Sequence, residues 1–316
     1  MSFTSDIKKE LTMTGPGKKG CQLAQISGFL RFAGSITLMG GIGIRISTEN
    51  PAVARCYASM IKSYFGSKTS LSVEESSSIN GGRTYGLSIT PDMNAEAILR
   101  ETGILSVKEG SNYITDGMDP MIVKKRCCKK AALRGIFMAS GSVSGLTTKG
   151  YHMQIVCASR YMADDVRKLL SAFGLKARVS GDEGRYIVYL KEGEQIADFL
   201  SVVGATNQMF EYQNVMINRQ MKNKLNRISN CENANLDKTV AAAQKQLADI
   251  RLVESVYGAS YLPAKLREAA ELRKENPELS LAELAGLFDP PLKKSGLNHR
   301  FAKIAEMAEE IRKSGR

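Results

Sequence analysis

Apolar residues along the chain alternate between two periods, three-to-four and two, and the order of those periods predicts the architecture. Residues 25–36 begin as an apolar helical stretch with Gly28 in its middle and end in Gly34, Ser35 and Ile36, as a helix does when it turns directly into a strand. Residues 132–143 repeat the arrangement around Gly135 and end in Gly141, Ser142 and Val143. Gly141 follows Gly34 by 107 residues, and later landmarks keep nearly that offset. Ser63-Tyr64-Phe65-Gly66 is answered by Ser171-Ala172-Phe173-Gly174, and Arg83 with Tyr85 by Arg185 with Tyr186. The repeat predicts two compact α+β halves, about 20–115 and 121–205, packed through the paired helices.

Residues 2–14 predict a short helix capped by Ser5 and broken by Gly15, Pro16 and Gly17. Ile42, Ile44 and Ile46 alternate with Gly43 and Arg45 as a strand does. Asn50-Pro51 then opens a helix with Val53, Tyr57, Met60, Ile61 and Tyr64 on one face, and Gly66 ends it. Strands follow around 69–73 and 84–90, joined by a loop over 76–82, and a helix near 95–101 closes the half. The second half predicts a helix over about 121–139, a strand at 151–157, a helix at 161–173, strands near 176–180 and 185–190, and a closing helix at 194–202.

Beyond residue 205 the pattern is helical throughout. Three regions are expected: a duplicated domain at 1–213, a basic linker helix at 214–235 carrying Arg219, Lys222, Lys224 and Arg227, and a helical domain at 236–316. Gly258 ends one helix of the last region and Pro263 begins another. Ser280 and Glu283 have the spacing of a capping box, ahead of Leu281, Leu284, Ala285 and Phe288. After Asp289-Pro290-Pro291, Ser295 can cap a second helix with Leu297, Phe301, Ile304, Ala308 and Ile311 on one side. Ser295, His299, Ala302 and Lys303 fall opposite, with Asn298 and Arg300 on the flanks. Residues 279–312 thus predict a helix-turn-helix, with Lys293, Lys294, Ser295, Asn298, His299, Arg300 and Lys303 as candidate DNA contacts. The competing reading is a helical hairpin with a solvated face, and the connector at 289–294 is longer than the usual turn of this motif.

Composition sharpens the choice. The net charge of +12 and a pI near 9.4 favour a polyanionic partner, and the excess is shared by both parts of the chain. No apolar run reaches membrane-spanning length, and the first residues lack a signal-peptide core, so the expected location is the cytosol. The six cysteines include no C-x-x-C pair, and Cys127-Cys128 is a vicinal pair that closes poorly into a disulfide, so reduced, mostly buried thiols are expected. With His152 and His299 as the two histidines, zinc clusters and histidine-centred acid-base chemistry have little material. The cationic run Lys124-Lys125-Arg126 with Lys129-Lys130 reads equally as a phosphate patch or as a solvated helix entry, and at a helix start those charges call for compensation.

Residues 26–34 and 133–141 resemble the two LAGLIDADG helices of a single-chain homing endonuclease. In that family an acidic residue near the end of each motif holds divalent metal between the halves for DNA cleavage. Here those positions are Ala33 and Ser140. Alanine offers no ligand atom and a serine hydroxyl is a weak one, so no metal, no cofactor and no nuclease activity are expected. Exposed cations expected on the sheets are Arg45, Lys68, Arg83, Lys176, Arg178 and Arg185.

A degenerate motif pair followed by a basic linker and a helix-turn-helix resembles the WhiA family of bacterial regulators. Met1-Ser2-Phe3 with Lys8-Lys9-Glu10-Leu11-Thr12, and residues 230–239, fit it too. The resemblance implies a non-enzymatic, nucleoid-associated protein that binds double-stranded DNA through 279–312 and acts in cell division, chromosome segregation or sporulation. A transcriptional co-regulator protein is left open as a second partner. Two alternatives stand beside it: a metal-dependent endonuclease with relocated ligands, and a scaffold whose first domain binds a protein or a small ligand.

Overall fold

The computed structural model describes residues 2–15, 17–38, 40–75, 83–148, 150–182 and 184–314. The loop expected at 76–82 lies outside the described residues. The chain divides into two compact units, Met1–Asn218 and Arg219–Arg316.

The first unit opens with α1 (Phe3–Met13), whose Phe3, Ile7 and Leu11 recur every four residues and are buried. Its N-cap is Ser2, accepting from the Ser5 amide, rather than Ser5 itself. α2 (Lys19–Ala33) runs without a loop into β1 (Gly34–Thr37), followed by β2 (Gly43–Thr48), α3 (Pro51–Phe65), β3 (Ser70–Glu75), β4 (Arg83–Ile89) and α4 (Ala95–Glu101). Asn50 Oδ1 accepts from the amides of Ala52 and Val53, and Gly66 closes α3 in the left-handed conformation that glycine adopts freely.

A hairpin absent from the sequence reading comes next, β5 (Leu105–Lys108) and β6 (Ser111–Ile114). Its turn places Glu109 and Gly110 both at positive φ, and a glutamate there hides the usual Asn-Gly or Asp-Gly signal. The second half consists of α5 (Arg126–Ser140), β7 (Gly141–Val143), β8 (Met153–Cys157), α6 (Arg160–Ser171), β9 (Arg178–Asp182), β10 (Arg185–Leu190) and α7 (Gly193–Val203). α5 starts later than the expected 121, because Asp119 and Pro120 form a separate turn in which Asp119 Oδ1 accepts from the Met121 amide.

The two antiparallel sheets have the same order, β1-β2-β4-β3 and β7-β8-β10-β9, which is the duplication in spatial form. α2 and α5 join the halves in backbone contact. A Cβ on Gly28 would lie 2.7 Å from the Ala132 carbonyl oxygen, and one on Gly135 would collide with the Gln25 carbonyl. Each helix also carries an inward arginine, half-buried in α2 and buried in α5: Arg31 donates to the carbonyls of Thr115 (2.6 Å) and Gly103 (2.8 Å), and Arg134 to that of Val203 (2.7 Å). Burial lowers the pKa of both guanidiniums, and the carbonyl bonds offset part of that cost.

α8 (Thr206–Tyr257) is one continuous 52-residue helix, so the stretch 214–235 is not a separate element. In the second unit its last turns pack with α9 (Ala264–Glu275), α10 (Leu281–Gly286) and α11 (Lys294–Ser314) around Ile250, Val253, Leu266, Leu284 and Phe301. The expected architecture, a duplicated LAGLIDADG-like α+β domain followed by an all-helical helix-turn-helix domain, is the one the chain adopts. No helix of the described residues is long and apolar enough to cross a membrane.

Candidate nucleic-acid interface

α10 begins on the expected capping box: the Glu283 amide donates to Ser280 Oγ, and the Ser280 amide donates to Glu283 Oε2 at 2.8 Å. Hydrogen bonding with the Ser280 side chain and with its amide holds the Glu283 carboxyl below its ordinary pKa. The chain then turns through residues 287–293, pinned by the Leu292 amide on the Ala285 carbonyl. α11 starts one residue before the expected cap: the Lys293 carbonyl accepts the Gly296 and Leu297 amides, and Ser295 lies inside the first turn.

Leu297, Phe301, Ile304, Ala308 and Ile311 are buried, so the 3.6-residue period fixes which way the rest of α11 faces. Lys293, Lys294, Ser295, Asn298, His299 and Lys303 are exposed. Arg300 parts company with them. Its Nη1 donates to the Lys265 carbonyl (3.1 Å) and to Glu268 Oε2 (2.9 Å), and the guanidinium lies over the Phe288 ring at 4.9 Å. With its side chain 17% exposed, Arg300 clasps α9 to α11 and is spent on the interior.

Two further arginines hold the scaffold. Arg273, 1% exposed, donates to the Leu279 carbonyl at 2.6 Å and so fixes the entry to α10. Arg312 pairs with Asp249 at 2.6 Å, tying α11 to the last turns of α8.

In the first unit, β2 alternates buried Ile44 and Ile46 with exposed Arg45 and Ser47. Cross-strand pairing sets Arg45 between Ser35 and Ser88, and the equivalent row of the second sheet is Ser142, Gln154, Tyr189 and Arg178. His152 stacks on Tyr189 at 5.9 Å, and Lys191 lies over the same ring at 5.2 Å. Lys68, Arg83, Lys176 and Arg185 are exposed at strand beginnings or just before them.

The two degenerate motif positions end α2 and α5. Ser140 lines a cavity of about 620 Å³ with Thr4, Ser5, Lys8, Ser47, Glu49 and Asn50, and its Oγ is buried without a hydrogen-bond partner. Burial lowers Lys8 to a pKa of about 8, against the opposing pull of Glu49. At neutral pH a lysine ammonium therefore lines the cavity that Ser140 also lines.

Sequence reasoning missed one cluster. The Sγ atoms of Cys21, Cys127 and Cys128 all lie within 4.8 Å of one another, and among the described residues no other group of three His, Cys, Asp or Glu side chains is placed to share an ion. The signal was present in the repeat, because Cys128 follows Cys21 by the same 107 residues that separate Gly34 from Gly141. Of the six thiols, Cys128 and Cys157 are buried, Cys21 and Cys56 partly so, and Cys127 and Cys231 exposed, fewer inside than expected.

Comparison with known proteins covers nearly the whole chain. Residues 19–105 match the model of the WhiA N-terminal LAGLIDADG-like domain, 129–222 that of the WhiA LAGLIDADG-like domain, and 225–308 that of the WhiA C-terminal HTH domain. A probable cell division protein WhiA of Clostridium acetobutylicum is 38% identical over 318 residues, covering 100% of each chain. The protein of that name from Clostridium perfringens strain 13 is 41% identical over 313 residues, covering 99% of each. The crystal structure of full-length WhiA from Thermatoga maritima shares the fold, with a TM-score of 0.61 at 23% identity over 98% of this chain and 99% of that one. With relatives this similar along their full length and matched segments reaching from α2 into α11, the chain belongs to the WhiA family.

Proposed function

We propose that this protein binds double-stranded DNA through the outer face of α11, regulates transcription linked to cell division, chromosome segregation or sporulation, and does not cleave its target. The observation that carries the reading is the outer face of α11. Lys293, Lys294, Ser295, Asn298, His299 and Lys303 are exposed, and among the described residues none of these side chains enters a hydrogen bond or ion pair within the protein. Their chemistry suits duplex recognition: lysines for phosphates, and an asparagine amide, an imidazole and a hydroxyl for base edges or the backbone. The Lys294 and Ser295 amides at the start of α11 have no backbone partner among the described residues and offer a further phosphate contact. Arg300 is left out of the interface, because its guanidinium is engaged inside the unit.

The absence of cleavage rests on Ala33, Ser140 and Lys8. A two-metal phosphodiester reaction needs paired oxygen ligands, and the Lys8 ammonium lining the same cavity as Ser140 disfavours a divalent cation there. The exposed cations of the two sheets add a non-specific, salt-sensitive contact with the backbone. The site of action that follows is the nucleoid, in the cytoplasm. The test is full-length protein with plasmid and labelled duplex: binding that persists in EDTA and weakens with salt, with the plasmid left intact in magnesium or manganese. A nick that EDTA abolishes would favour the endonuclease reading instead.

A further inference from the structure

The two motif helices lie parallel, because Gly20 meets Cys128 near their starts and Gly28 meets Ala132 and Ile136 farther along both. Their N-termini are therefore side by side. Cys21 occupies the third position of α2 and Cys128 the third position of α5, equivalent sites of the duplicated halves, and Cys127 sits one residue earlier. Both helices begin on a lysine, Lys18 and Lys125, and neither cap makes a side-chain bond to the first turn. Two positive helix ends thus meet with no carboxylate in either first turn.

The helix N-termini and the Lys125 ammonium favour ionised sulfur here, against the burial that opposes it at Cys21 and Cys128. We propose that Cys21, Cys127 and Cys128 form a three-thiolate site for a thiophilic divalent cation of the zinc class, its fourth position open to water. Two sulfurs on one tetrahedral zinc lie roughly 3.8 Å apart, given zinc–sulfur bonds of about 2.3 Å, so three sulfurs already within 4.8 Å need only small side-chain rotations. Burial holds the Cys21 thiol up at about 11 and raises Cys128, while a hydrogen bond from Cys21 lowers Cys127; the ion would displace the remaining protons. Three thiolates and a doubly charged ion carry a net charge of −1, which compensates the two helix ends. One ligand from the first half and two from the second make the ion a clip across the duplication.

The test is anaerobic titration of the reduced full-length protein with Co²⁺, read by the sulfur-to-cobalt charge-transfer absorption. The expected result is one equivalent bound, displaced by Zn²⁺, with the band lost in Cys21→Ser and in Cys128→Ser and kept in Cys157→Ser and Cys231→Ser. Cys127→Ser, at an exposed position, guards against misfolding: it should fold like the parent and bind the metal at least tenfold more weakly. A missing band, a band indifferent to Cys21→Ser, or a Cys21–Cys128 disulfide forming in place of metal uptake would each overturn the proposal. DNA binding is a separate readout, so failure here leaves the proposed function standing.

Discussion

Arg312 Nη2 lies 2.6 Å from Asp249 Oδ1, and the two residues differ sharply in setting: the Asp249 side chain is 3% exposed and that of Arg312 43%. The carboxylate is buried, and the guanidinium that neutralises it reaches in from the surface of α11. Asp249 raises the Arg312 pKa further above its ordinary value, so the guanidinium keeps its charge at every pH at which the protein is folded. Arg312→Ala strands a buried carboxylate and should cost about 1–3 kcal/mol, the range for an unsatisfied buried group. Arg312→Ala combined with Asp249→Leu should recover most of it. Urea unfolding followed at the second unit measures both, and equal loss in the single and double variants would contradict this role.

Arg300 and Lys303 are close in sequence on one helix and should separate two effects. Arg300→Ala removes the clasp over Phe288 and the bond to the Lys265 carbonyl, and should lower stability by about 1–2 kcal/mol while leaving the salt dependence of DNA binding unchanged. Lys303→Ala should leave stability alone and reduce the slope of log affinity against log salt by about 1. The reverse assignment would show that the outer face of α11 is wrongly drawn.

Gly28→Ala and Gly135→Ala test the seam between the halves. The added methyl meets backbone in both cases, which cannot move aside as a side chain does. Each should destabilise the first unit by at least about 2 kcal/mol, toward the upper end of overpacking costs. Gly286→Ala, where a Cβ meets open space, is the control and should be neutral or slightly stabilising.

Lys8 gives a pH signature with a definite sign. Its folded pKa, about 8, lies below the ordinary 10.5, so the unfolded chain binds the proton more tightly. The burden on stability is full below pH 8 and fades as pH rises toward 10.5. Lys8→Met should therefore stabilise the first unit by about 2–3 kcal/mol at pH 7, since each tenfold loss of proton affinity on folding costs about 1.4 kcal/mol, and by progressively less above pH 8. A gain independent of pH would mean that shape rather than charge is responsible.

The duplication, the motif helices and the helix-turn-helix were legible because each depends on local signals: small residues at Gly28 and Gly135, the Asn50-Pro51 opening, and the box at Ser280 and Glu283. What stayed hidden depends on contacts far apart in sequence. The helical period places Arg300 on a flank of the exposed face, but it cannot show that Glu268 and Phe288 wait there to take the guanidinium. Likewise the 107-residue offset makes Cys21 and Cys128 equivalent positions without showing that they touch, because they meet only when α2 and α5 pack. The continuous α8 was missed for a different reason: the cations Arg219, Lys222, Lys224 and Arg227 marked 214–235 as a separate linker, and the helix runs through it.

The most direct test is fluorescence anisotropy of the full-length protein on duplex DNA in EDTA, with Asn298→Ala, His299→Ala and Lys303→Ala combined in one variant. The parent should bind without metal and weaken steeply with salt, and the folded variant should lose roughly a hundredfold or more in affinity, as removal of several phosphate and base contacts requires. A folded variant that binds as tightly as the parent would contradict DNA recognition through α11.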